Sequence, residues 1–100
     1  MRGLSNKIAV VAGGGGGIGA ATAVRLAEEG AVVVVGDLDG EAAKAIEERI
    51  RGSGGRAIAV QFDMSDDASV GTLVKAAVDT YGGLDLMHAN AADFSQIYLD

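Results

Sequence analysis

Five consecutive glycines, Gly13 to Gly17, interrupt this chain, and Gly19 follows after a single isoleucine. What flanks them constrains the fold more than any other feature. Before them runs Ile8-Ala9-Val10-Val11-Ala12, apolar throughout. A short run without alternation suits a parallel strand buried on both faces. A helix is excluded there, because residues leading straight into five glycines cannot continue one. After them, Gly17 to Glu29 has helical spacing. Ile18, Ala21 and Thr22 lead into Val24-Arg25-Leu26-Ala27, Arg25, Glu28 and Glu29 take the wet side, and Gly30 supplies the stop. A strand, a turn free of side chains and a helix start, in that order, let an anion approach backbone N–H groups closely.

The alternation continues along the chain. Ala31 to Val35 reads as a second buried strand, closed by Gly36-Asp37. A helix starts at Asp39 or Gly40. Ala42, Ala43, Ile46 and Ile50 face inward, while Glu41, Lys44, Glu47, Glu48, Arg49 and Arg51 face water. Gly52 to Gly55 is a turn, and Ala57 to Phe62 is a third strand. Ser65 is the expected N-cap of a third helix, with Asp66 and Asp67 in its first turn. Its apolar stripe is Val70, Leu73, Val74, Ala77, Val78 and Tyr81. Gly82-Gly83 stops it, Leu84 to His88 forms a fourth strand, and Ala89-Asn90-Ala91-Ala92 is the loop beyond.

A β-α-β-α-β-α-β order with short loops predicts an α/β fold with a parallel sheet and right-handed crossovers. The expected form is a Rossmann-type doubly wound sheet of strand order 3-2-1-4, in three αβα layers and incomplete at this length. The switch point then lies between the first and fourth strands. The glycine run and Ala89 to Ala92 both sit at the carboxyl ends of those strands, where ligands bind in such sheets.

Composition narrows the partners. A net charge of −6 disfavours nucleic acid and anionic membrane surfaces, both of which want a basic face. The absence of cysteine excludes a disulfide framework and thiolate chemistry. No stretch approaches the ~18 apolar residues of a membrane span. Residues 1 to 7 lack the apolar core of a signal peptide. The expectation is a soluble, cytoplasmic protein without a metal site.

The glycine spacing alone is ambiguous. Gly14, Gly16 and Gly19 satisfy G-x-G-x-x-G, Gly13, Gly17 and Gly19 satisfy G-x-x-x-G-x-G, and Gly13, Gly15 and Gly17 satisfy G-x-G-x-G. Both dinucleotide and S-adenosylmethionine sites fit. A P-loop does not, because no Lys-Ser or Lys-Thr follows. Asp37 carries the finer distinction. It closes the second strand 18 residues after Gly19, near the ~20-residue offset at which an acid accepts hydrogen bonds from an adenosine ribose. A 2′-phosphate there meets a like charge. Neither Gly16 nor Leu38 supplies a base to offset it, so NAD is favoured over NADP. Asp39 competes as an acid but reads better as a helix cap, and Asp37 itself also reads as a turn residue or N-cap.

Taken together, these residues resemble the short-chain dehydrogenase/reductase family, of the classical type. Ala12 to Gly19 looks like its T-G-x-x-x-G-I-G, and Asp63-Met64 is similar to its D-V pair. Tyr81-Gly82-Gly83-Leu84-Asp85 resembles its Y-G-x-L-D, and Ala89 to Ala92 stands in place of N-N-A-G. The resemblance implies that Gly13, Gly16, Gly17, Ile18 and Gly19 meet the pyrophosphate and adjacent ribose. Asp37 with Leu38 would hold the adenosine ribose, Asp63 and Met64 the adenine, and Asn90 with Ala91 the nicotinamide side. Asp63 also reads as a helix cap, and Asn90 as an amide bracing the sheet. Ala12, Ala89 and Ala92 depart from the motifs; the first two remove hydrogen bonds worth about 1 kcal/mol each.

The resemblance further implies hydride transfer between NAD and a small alcohol or ketone, in a parent that is a homo-oligomer. The family's catalytic Ser and Tyr-x-x-x-Lys have no match here. Tyr81 reads as core, Tyr98 has two residues after it, and His88 reads as structural. The chain is therefore expected to be the dinucleotide-binding portion of a longer domain, residues 1–100. Alone it would be inactive and aggregation-prone, with a glycine loop mobile until ligand binds. A non-catalytic binding module or truncated pseudoenzyme is the main alternative, and an S-adenosylmethionine-dependent methyltransferase a weaker one.

Overall fold

The computed structural model describes residues 4–13, 15–63 and 67–89. Strands β1 (Ile8–Ala12), β2 (Val32–Asp37), β3 (Arg56–Gln61) and β4 (Leu86–Ala89) alternate with helices α1 (Gly17–Glu28), α2 (Gly40–Gly52) and α3 (Asp67–Tyr81). All strand pairs are parallel, in the order β3-β2-β1-β4. This is the doubly wound arrangement the alternating pattern predicts, with the switch point between β1 and β4.

The apolar runs divide their side chains between two layers. Ala9, Val11, Val33, Val35 and Ala57 face α1 and α2, packing on Ala23, Ala43, Ile46 and Ile50. Val10, Ala12 and Val34 face the other way, onto Leu73 and Ala77 of α3 and onto Phe62. Burial on both faces is why these strands show no polar alternation.

One glycine sets the distance between α3 and the sheet. A Cβ at Gly36 would lie 2.7 Å from Leu73 Cδ1 and 3.0 Å from Phe62 Cε1. Leu73, fully buried, lies against the bare backbone of β2.

Several details differ from the sequence reading, among them β3, which runs Arg56–Gln61 rather than Ala57 to Phe62. Glu47, expected in water, is only 7% exposed. It reaches across the outer edge of β3, where its Oε1 accepts from Ala59 N at 2.7 Å. One turn later, Arg51 Nε donates to Ala57 O at 2.9 Å. A parallel neighbour strand would offer the same pair, a donor to residue 57 and an acceptor for residue 59. These two side chains therefore occupy an edge that would otherwise be open to pairing. Val78, expected inward, is 47% exposed. Leu73 and Ala77 centre the buried stripe of α3, and Val78 lies about 100° round the helix from Ala77.

Strand β4 runs Leu86–Ala89 rather than from Leu84 to His88, and just before it Asp85 N donates to Ile8 O while Asp85 Oδ2 accepts from Ile8 N, each at 2.8 Å. Strand β2 runs on through Gly36 and Asp37, paired with Val60 and Gln61. The Ser65 cap lies outside the described residues.

Candidate functional site

At the carboxyl ends of β1 and β2 the chain leaves the sheet in two adjacent loops. Gly13 and Gly17 adopt φ of 79° and 57°, left-handed values that side chains disfavour. They turn the chain from β1 into α1 within a few residues. The loop is tied to β2 by Gly13 N, which donates to Gly36 O at 2.8 Å.

Helix α1 then opens in a state suited to an anion. Its N-cap is Gly16, so no side chain caps it, and no acidic residue lies in its first turn. The first N–H groups of a helix have no intrahelical partner, and the dipole leaves that end positive. Helix α2 is the contrast. Asp39 caps it, accepting from Glu41 N and Ala42 N, each at 3.1 Å. The two helices begin side by side, one end satisfied by its own carboxylate and the other uncapped.

Asp37 sits between them, partly buried at the last position of β2. Its Oδ2 accepts from Gly15 N and its Oδ1 from Asp39 N, both at 2.9 Å. Each oxygen thus carries one backbone hydrogen bond, and a carboxylate has about four acceptor sites in all. Beside it, Leu38 is 63% exposed, and Ile18 on the first turn of α1 is 71% exposed. Two large apolar side chains therefore stand out in the solvent around a polar cleft. Leu38 is held by its backbone, which accepts from Gln61 Nε2 at 3.0 Å. An open cavity of about 610 Å³ runs outward from there, lined by Leu38, Asp39, Gly40, Glu41, Lys44, Ala59 and Gln61.

The structure thus brings Gly13, Gly16, Gly17, Ile18, Gly19, Asp37 and Leu38 to one end of the sheet. Asp63 follows the buried Phe62 past the end of β3 and is exposed. Met64, Asn90 and Ala91 lie outside the described residues. Gly15, absent from the candidate residues read from sequence, proves to be the one bonded to Asp37. No signal in a run of five identical residues singles it out.

His88 is partly buried on β4, and its Nε2 has no partner among the described residues. Among those residues no cluster of His, Cys, Asp or Glu could hold a metal, and no helix is long and apolar enough to cross a membrane.

Residues 7–97 match the short chain dehydrogenase family. The chain belongs to that family. Among the relatives of this chain is a 2,5-dichloro-2,5-cyclohexadiene-1,4-diol dehydrogenase of Sphingobium indicum. It is 46% identical over 88% of this chain and 35% of its own length. A short-chain dehydrogenase/reductase homolog of Bacillus subtilis is 40% identical over 95% of this chain and 88% of its own length. A solved 7α-hydroxysteroid dehydrogenase, complexed with NADH and 7-oxo glycochenodeoxycholic acid, superposes with a TM-score of 0.82. It is 33% identical, over 84% of this chain and 33% of that one. The chain spans about a third of the length of the first curated relatives it matches. Membership in this family lends no support to the S-adenosylmethionine alternative that the glycine spacing also admitted.

Proposed function

We infer that residues 1–100 form the NAD-binding portion of a longer short-chain dehydrogenase/reductase domain, one that moves a hydride between NAD and a small alcohol or ketone. The observation that carries this reading is the placement of Asp37, a carboxylate held at the end of β2 beside an uncapped helix start. The N–H groups opening α1 would receive the pyrophosphate, with Gly13, Gly16, Gly17 and Gly19 giving it clearance. Ile18 and Leu38 would be covered by the cofactor's apolar faces, which accounts for their exposure.

Asp37 would accept from the two hydroxyls of an unphosphorylated adenosine ribose. A 2′-phosphate would bring about −1.5 to −2 charges against that carboxylate. The first basic residue after Asp37 is Lys44, and its Nζ is bound to Glu47 at 2.8 Å. Asp63 and Met64 would hold the adenine, with Asn90 and Ala91 beneath the nicotinamide side. The bound nicotinamide supplies hydride donation or acceptance, and this chain's residues bind and orient it. That one structural relative was solved with NADH supports the same cofactor class. By the family resemblance the whole protein acts on a small molecule and assembles as a homo-oligomer.

Replacing Asp37 with Ser tests the reading. Fluorescence titration should show NADH binding at least tenfold weaker, the loss of a charge-assisted hydrogen bond, and NADPH binding improved. Unchanged preference in Asp37→Ser would remove Asp37 from the ribose site.

The Bacillus relative, nearly as short as this chain, favours a second reading: a dinucleotide-binding module without chemistry of its own. Turnover of NAD with a panel of secondary alcohols separates the two, since a binding module takes up NADH and reduces no NAD.

A further inference from the structure

The end of β2, the glycine loop and the first turn of α2 meet at Gly15. Its N–H donates to Asp37 Oδ2 at 2.9 Å. A Cβ built on Gly15 would lie 2.8 Å from that same oxygen, 2.8 Å from Ala42 Cβ and 3.0 Å from Ala43 N. Carbon contacts settle near 3.5–4.0 Å, so a methyl here must displace something. The first turn of α2 resists displacement. Asp39 caps it through Glu41 N and Ala42 N, Ala43 N donates to Asp39 O at 3.1 Å, and the Ala43 side chain is fully buried. The movable partner is the Asp37 carboxylate. Gly16 and Gly17, by contrast, face open space at their Cβ positions.

We propose that Gly15 is a specificity-determining positioning residue, whose N–H and missing side chain fix the Asp37 carboxylate and so set which dinucleotide the protein accepts. The inference rests on the reading of Asp37 as the ribose acceptor. With Gly15 on one oxygen and Asp39 on the other, the carboxylate is oriented before a sugar arrives. Each oxygen keeps acceptor capacity for one ribose hydroxyl, and a preset group costs less to order on binding. A side chain at position 15 breaks the N–H contact and swings the acid away. Binding of the unphosphorylated sugar then weakens, while the charge that repels a 2′-phosphate is no longer held in its path.

The test compares the full-length protein with Gly15→Ala and with Gly15→Ala combined with Ala42→Gly, titrated with NADH and with NADPH. Gly15→Ala should bind NADH about tenfold more weakly, one charge-assisted hydrogen bond. Its affinity for NADPH should hold or rise, so discrimination falls. Ala42→Gly frees the space on the α2 side and should restore part of the NADH preference. Equal losses for both nucleotides, or none for either, would overturn the proposal. A parent protein that takes up neither nucleotide, or prefers NADPH, would instead overturn the reading of Asp37. Should Gly15→Ala not fold, amide exchange decides. The Gly15 amide should exchange at least tenfold faster in Asp37→Ala, and an unchanged rate would overturn the proposal.

Discussion

Replacing Glu47 with alanine should open the outer edge of β3, and its cost can be worked from the contacts. The Glu47 carboxylate accepts from Ala59 N at 2.7 Å and from Lys44 Nζ at 2.8 Å, with Arg51 Nε 3.7 Å away. Lys44 and Arg51 are more than half exposed, so the ion pairs contribute little. The main loss is the partner of a part-buried amide, about 1–2 kcal/mol. For a chain of this size that is a fall in Tm of roughly 4–15 °C. Glu47→Gln keeps an acceptor for Ala59 and should lose less than half as much.

The pH dependence has a definite sign. Burial raises the Glu47 carboxyl, but the hydrogen bonds from Lys44 and Ala59 and the charges of Lys44 and Arg51 outweigh it, holding the group below its ordinary 4.5. A carboxyl lowered by folding contributes stability that is complete above that ordinary value. The contribution is lost as pH falls through the folded value. The gap between the parent and Glu47→Ala should therefore be full at pH 7 and narrow below about pH 4.5. Thermal melts across that range, with amide exchange at Ala59, read both effects. A variant that melts with the parent and leaves Ala59 exchange unchanged would refute the edge-capping role.

Gly36→Ala should destabilise by about 1–3 kcal/mol through overpacking against Leu73, and Leu73→Val should recover part of it in the same melts. Asp39→Ala should cost about 1 kcal/mol as a lost N-cap and leave the NADH-to-NADPH preference intact. A changed preference would show that the competing acid, and not Asp37 alone, reads the sugar.

The strands and helices were legible because their apolar runs carry the period of the element they form. Ile8 to Ala12 announced burial on both faces, and α1 followed from the stop at Gly30 and the spacing before it. The departures arise where a residue's role depends on an element far away in sequence. Glu47 looks like any charge on the wet side of α2 until β3, 12 residues on, presents an edge beside it. Gly36 reads as a strand end until Leu73 packs onto it from α3. Asp85 reads as part of a motif leading into β4, yet it also closes the start of β1. At the site, Asp37 and Asp39 were separable by position, one ending a strand and one preceding a helix; Asp39 caps α2, while Asp37 accepts from Gly15 N and, as a turn residue does, from Asp39 N. Gly15 was not separable. Its neighbours are identical to it, and only the fold shows which N–H meets the acid.

Calorimetric titration of the full-length protein with NADH and with NADPH, under matched salt and pH, bears most directly on the whole account. A carboxylate held beside an open helix start predicts uptake of NADH with an affinity at least tenfold above that for NADPH, about 1.4 kcal/mol. Equal affinities, a preference for the phosphorylated form, or no heat from either would contradict it.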